Sequence, residues 1–223
     1  MDIKANDGGG TSVYLVEGED LDEVPITHRA LLTPAIREAF VNPRAYFQRI
    51  ANTCPFAPMA SWFKLMVDEG VWELELHVGE PKHWTSSGYF WIVEDVRGAT
   101  IAPATGTVLQ GLPKELQQYY SMVGSVNWME FGYAGGLEGP NDLEPLTTYG
   151  QHFQGDTIDP VSSTVFGSGP AGDKMLFTHD GRAGWMCHEN NRVHLLGSIG
   201  YTIGWVFTEL LANRCPDYNH KWK

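Results

Sequence analysis

The sequence predicts an α+β protein: a mixed or antiparallel sheet ending in a C-terminal strand meander, with an N-terminal helical layer and a C-terminal helix flanking it. Three observations carry this. Residues 33–69 contain three proline-opened segments whose apolar residues recur at spacings of three and four. From residue 71 the apolar period changes to two. Residues 174–196 then form three short apolar runs divided by Asp180-Gly181 and Asn190-Asn191, both turn formers.

The helical layer comes first. Thr33-Pro34 places a capping hydroxyl ahead of a proline at the first helical position, where its missing N–H costs nothing. Asn42-Pro43 repeats the device, and Tyr46, Phe47 and Ile50 then share a face. Pro58 starts a third segment with Met59, Trp62, Phe63, Met66 and Val67 on one broad apolar stripe, ended by Gly70.

The first strands follow. Val71, Glu73, Glu75 and His77 alternate with Trp72, Leu74, Leu76 and Val78, so the acids and the histidine share a face expected to meet water. Tyr89–Val93 and Thr100–Ala102 are further strands. Leu112-Pro113 opens a helix with Leu116, Tyr119, Tyr120 and Val123 at i, i+3, i+4 and i+7, expected to stop at Gly124. Residues 131–150, rich in Gly, Pro and Asn, read as a long loop with room for one short strand. The meander comes next, and a final helix carries Ile203, Val206, Phe207, Leu210 and Leu211 on one face. Residues 1–24, Gly-rich and then acidic, read as a flexible arm with a candidate edge strand at Val13–Val16, and residues 25–223 as one domain.

Composition narrows the function classes. At 43% hydrophobic residues and 12% aromatic, 223 residues can bury a normal core, and the eight Trp are expected mainly inside it. Cys54, Cys187 and Cys215 are too few and too scattered for a disulfide framework and suit a reducing compartment. The first residues lack the basic-then-apolar order of a secretory signal, and no run approaches the ~18 apolar residues of a membrane span. A cytoplasmic location is the expectation. Net charge is −12, and no Lys or Arg stands between Lys114 and Lys174, a stretch holding Glu115, Glu130, Glu138, Asp142, Glu144, Asp156, Asp159 and Asp173. Such a field repels nucleic acid and anionic lipid and favours a basic partner.

The chemical motifs are weak. Gly167-Ser168-Gly169-Pro170-Ala171-Gly172 spells a dinucleotide fingerprint, but a strand rather than a helix is expected after it, and Asp173 would repel a phosphate. Asp173 also stands where a P-loop needs lysine. His179, Cys187, His188 and His194 crowd into the meander without an identifiable acidic partner, so neither a metal nor another cofactor is expected. No G-x-S-x-G is present and nothing selects one pair of carboxylates, so no catalytic residue is assigned.

Over residues 110–213 the chain resembles the SUKH superfamily, which includes fungal cell-wall-assembly regulators and bacterial immunity proteins against secreted toxins. The resemblance lies in Leu112-Pro113-Lys114-Glu115-Leu116-Gln117-Gln118-Tyr119-Tyr120, in Gly172–Phe177, in Gly184-Trp185 through Leu195-Leu196-Gly197-Ser198, and in the closing helix Ile203–Leu211. One departure is Val123-Gly124-Ser125-Val126-Asn127-Trp128, where the family usually has an Asn-Gly-Gly-like turn. The resemblance implies a non-enzymatic immunity protein that sequesters a cognate protein toxin. The acidic field would suit a basic nuclease. Two other readings are a housekeeping scaffold or regulator on the same fold and a small-molecule enzyme with an unrecognised site. The expected partner-binding surface is the loop carrying Trp128, Glu130, Phe131, Tyr133, Glu138, Asp142 and Glu144, with aromatic anchors beside acids.

Overall fold

The computed structural model describes residues 3–5, 11–15, 22, 26, 34–69, 73–79, 87–94, 97–104, 110–130, 133–169 and 172–212. Three helices open it: α1 (Pro34–Val41), α2 (Pro43–Thr53) and α3 (Ala57–Glu69). The Asn42 side chain accepts from the Ala45 N–H at 3.0 Å, the capping bond its position before proline requires. Tyr46, Phe47 and Ile50 of α2 and Met59, Trp62, Phe63, Met66 and Val67 of α3 are all buried, as their spacing predicts.

Strands β1 (Ile3–Ala5), β2 (Thr11–Leu15), β3 (Glu73–Gly79), β4 (Ser87–Glu94) and β5 (Arg97–Pro103) pair in sequence order, antiparallel throughout. The N-terminal stretch, expected as an arm with one candidate edge strand, thus contributes two strands, β2 lying beside β3. The face shared by Glu73, Glu75 and His77 concerns side chains outside the described residues.

Helix α4 (Lys114–Tyr120) starts where expected but stops three residues before the Val123 that completes its apparent stripe. Val123 and Gly124 instead open β6 (Val123–Glu130). Val123 fits the helical spacing, but from Gly124 onward Gly124, Val126 and Trp128 are buried while Ser125 and Asn127 stay half-buried, the alternation of a strand, and Val123 joins it through a register shift opposite Pro103. β6 joins β5 to β7 (Tyr133–Leu137).

The second meander comprises β10 (Thr164–Ser168), β11 (Lys174–Phe177), β12 (Arg182–Cys187) and β13 (Arg192–Ser198). β10 was not anticipated; it pairs with β7 and fuses the two halves into one sheet. Two-residue strands β8 (Glu144–Pro145) and β9 (Gln154–Gly155) complete it, β8 beside β10 and β9 parallel to the outer edge of β13. The thirteen described strands therefore form one mixed, mostly antiparallel sheet.

Helix α5 (Ile199–Leu211) packs against α3 and the last strands. Ser198 caps it by accepting from Tyr201 N–H at 3.2 Å, while its own hydroxyl donates to Glu115 Oε1 at 3.2 Å. The α4 carboxylate thereby lies at the positive end of α5, where negative charge is favoured. A Cβ on Gly200 would stand 2.6 Å from that oxygen, so the approach needs glycine.

The sheet buries both faces along its second half. Phe166, Met175, Phe177, Ala183 and Trp185 join the helices in the main core. Val165, Leu176, Met186 and Val193 face the other way and are covered by Leu146, with Tyr149, Phe153 and Ile158 packed around them. This explains why Met175-Leu176-Phe177 reads as an unbroken apolar run rather than an alternation. Tyr46 ties α2 to the sheet: its hydroxyl donates to Met122 O at 2.5 Å and accepts from Ala104 N–H at 3.2 Å. Burial pushes its pKa up to about 12.

Candidate functional site

The chain between β7 and β10 makes a detour. β7 pairs with β10 at Gly167 and Ser168, and β8 pairs with the same strand at Thr164 and Val165. The two pieces lie along one edge of β10, separated by residues 138–143. Glu138 ends the first piece, Glu144 begins the second, and Asp142 stands in the turn between them. Asp142 N–H donates to Gly139 O at 3.0 Å, and a Cβ on Gly139 would lie 2.8 Å from Asp142 Oδ2. A side chain at 139 would therefore push the Asp142 carboxylate aside.

The pattern Asp142-Leu143-Glu144-Pro145-Leu146 sorts itself by burial. Leu143 packs on the main core and Leu146 in the second, leaving Asp142 and Glu144 exposed. Glu138 is half-buried. Its N–H donates to Phe166 O at 2.9 Å, its carbonyl accepts from the Tyr120 hydroxyl at 3.1 Å, and its carboxylate takes a long bond from Ser168 Oγ at 3.4 Å. Burial, with Asp142 and Glu144 nearby, holds the Glu138 carboxyl above its usual range, against the opposing pulls of Ser168 and Lys174.

Two further residues complete the edge. The Tyr149 hydroxyl donates to Glu144 Oε2, and Lys174 Nζ lies 4.9 Å from the centre of the Tyr149 ring. Desolvation, then the bond to Glu144, raises the Tyr149 pKa to about 12, so its hydroxyl stays a donor at neutral pH. Three carboxylates, an aromatic face and one ammonium thus share a surface that can accept a cation or a basic segment.

The structure brings together only part of the predicted set. Glu138, Asp142 and Glu144 converge. Trp128 does not join them: it is 3% exposed within the main core, and its indole N–H has no hydrogen-bond partner among the described residues. It is a core residue, not a surface anchor. Glu130 ends β6 and pairs with Tyr133 at the start of β7. That places both at the far end of β7 from Glu138, roughly 15 Å away at strand spacing. Phe131 lies outside the described residues. The segment 131–150, expected as a long loop with room for one short strand, holds β7 and then a separate crossing along β10; its acids Glu138, Asp142 and Glu144 lie together at the crossing, apart from Glu130. Tyr149, Ser168 and Lys174 were missed. Lys174, which ends the base-free stretch, carried the one legible signal, because it stands nearest the accumulated negative charge.

Two other clusters are structural. Asp173 is 1% exposed and accepts from Trp185 Nε1 at 3.1 Å, His188 N–H at 2.9 Å and His188 Nδ1 at 2.8 Å. It satisfies a buried indole and fastens the start of β11 to β12. Ser162 donates to Asp159 Oδ2 at 2.7 Å and stands 3.4 Å from His179 Nδ1. Here the carboxylate holds the serine rather than the imidazole, the inverse of a hydrolytic relay. Among the described residues, no group of three or more His, Cys, Asp or Glu side chains could hold a metal ion. His179 and His188 sit at opposite ends of the β11–β12 hairpin, and Cys187 pairs in register with Arg192 rather than with a histidine. No described helix is long and apolar enough to cross a membrane.

A scan against protein-family models and searches of curated proteins and of solved structures found no match.

Proposed function

We propose that this chain acts by binding another protein, as an immunity protein of SUKH type that neutralises a cognate secreted toxin in the cytoplasm. The observation that supports the reading best is the convergence of Glu138, Asp142 and Glu144 around Tyr149 on one edge of the sheet. They are spread over seven residues, yet Leu143 and Leu146 fix the backbone so that Asp142 and Glu144 stand outward beside the half-buried Glu138. A surface of this kind complements a basic partner, such as a nuclease whose own surface is built to hold nucleic acid. The resemblance over residues 110–213 supports the choice of an inhibitor over a scaffold, since such immunity proteins act by covering the toxin. The test is co-purification with the protein encoded beside it, followed by rescue of cells expressing that protein. Stable capture together with restored growth is expected. Failure of both, with a folded chain, would overturn the reading.

A further inference from the structure

The edge just described already carries a cation of its own. Lys174 is the first residue of β11, and its backbone position is set by its neighbour Asp173, which is clamped between Trp185 and His188. Its side chain extends over the Tyr149 ring, with Nζ 4.9 Å from the ring centre. The hydroxyl of the same ring is bound to Glu144, and the positive charge of Lys174 acts on Glu138. Among the described residues Lys174 forms no direct ion pair. The ammonium is therefore held by an aromatic face and a diffuse field, both of which a guanidinium engages better. A guanidinium stacks flat on a tyrosine, sheds water more readily than an ammonium, and can bind a carboxylate through two parallel N–H groups. With three acids against one lysine, the edge keeps an excess of negative charge after Lys174 is counted.

We propose that Lys174 is a built-in competitor for the arginine of a basic partner: its ammonium occupies the place over Tyr149 that the partner's guanidinium takes, and docking displaces it. This rests on the protein-binding reading above and adds to it the class of anchor and the residue that restrains it. Restraint of this kind lowers affinity for stray basic segments and reserves tight binding for a partner whose remaining contacts offset the displacement.

The test uses the full chain and a tetra-arginine peptide at low ionic strength. The Lys174 side-chain methylenes, lying over an aromatic ring, are expected upfield of ordinary lysine positions in NMR spectra, and should return to ordinary positions as the peptide saturates. Lys174→Met should tighten binding by about fivefold, the scale of an exposed cation–π contact. Lys64→Met, which removes the same charge from α3, should leave affinity at the wild-type value. Tyr149→Leu in the Lys174→Met background should abolish the gain. Lys174 resonances that stay upfield at saturation, or equal tightening by Lys64→Met, would overturn the competitor role while leaving the docking edge intact. Absence of peptide binding by both wild type and Lys174→Met would overturn the docking edge itself.

Discussion

Single residues carry two of the strongest physical commitments. Gly181 sits at φ +81 in the turn between β11 and β12, and a Cβ there would meet nothing within 4 Å. The cost of a side chain is then purely conformational. Gly181→Val should destabilise the protein by about 1–2 kcal/mol, because a β-branched residue resists the left-handed region. For a domain of this size that lowers Tm by about 2–8 °C; an unchanged Tm would contradict the turn. Glu138 makes the opposite kind of statement. Its carboxyl is raised in the fold, first by burial, so the folded state disfavours the charged form. Stability therefore falls as pH rises from the ordinary glutamate range through the raised value, and the loss is complete above it. Glu138→Gln should melt higher than wild type at neutral pH, with the difference vanishing below the glutamate range at about pH 4. A residue kept at some cost to the fold is one whose charge serves elsewhere, which is why the same substitution should also weaken a basic partner.

At the scale of elements, the start of β11 and β12 depend on one buried carboxylate. Removing Asp173 leaves the Trp185 N–H without its acceptor inside the main core, together with the His188 backbone N–H. Asp173→Ala should cost about 2–4 kcal/mol. His188→Ala should cost no more than about 1 kcal/mol, since that ring is 43% exposed and the other two bonds to Asp173 persist. Chemical denaturation of the two variants checks the order, and equal losses would mean that the ring, not the indole, anchors Asp173. The same region shows what periodicity could and could not reveal. The helices of the N-terminal layer were legible because one face of each is wet, so spacing and burial coincide. The meander was legible through its turns, Asp180-Gly181 and Asn191 at φ 53, rather than through alternation. β10 was not legible. Thr164–Ser168 is buried on both faces and ends in glycine and serine, so it presents neither period, and only its partners define it. Helix α4 was overextended because Val123 is apolar at the helical spacing from Leu116, Tyr119 and Tyr120, and only its pairing opposite Pro103, across a register shift, makes it a strand residue.

The whole molecule is one sheet whose halves are joined by β7 against β10, with helices over one face and the 146–158 segment over part of the other. The candidate docking edge lies at that junction. This explains why charge alone pointed to it and composition misjudged its membership. The base-free stretch is a property of the chain, but which of its acids meet is decided by the pairing of β7 and β8 along the same strand. Trp128, Glu130 and Tyr133 are near Glu138 in sequence and separated from it by burial or by the length of β7. Tyr149 and Lys174 are distant in sequence and adjacent in space. The central claim is that this edge meets a basic protein partner. It is tested most directly by the association rate of that partner with wild type and with the Glu138→Lys, Asp142→Lys, Glu144→Lys triple variant at low salt, after circular dichroism has shown both to be folded. The rate should fall by about tenfold or more and lose most of its salt dependence, because steering by surface charge acts on encounter; an unchanged rate with unchanged salt dependence would place the interface on another part of the molecule.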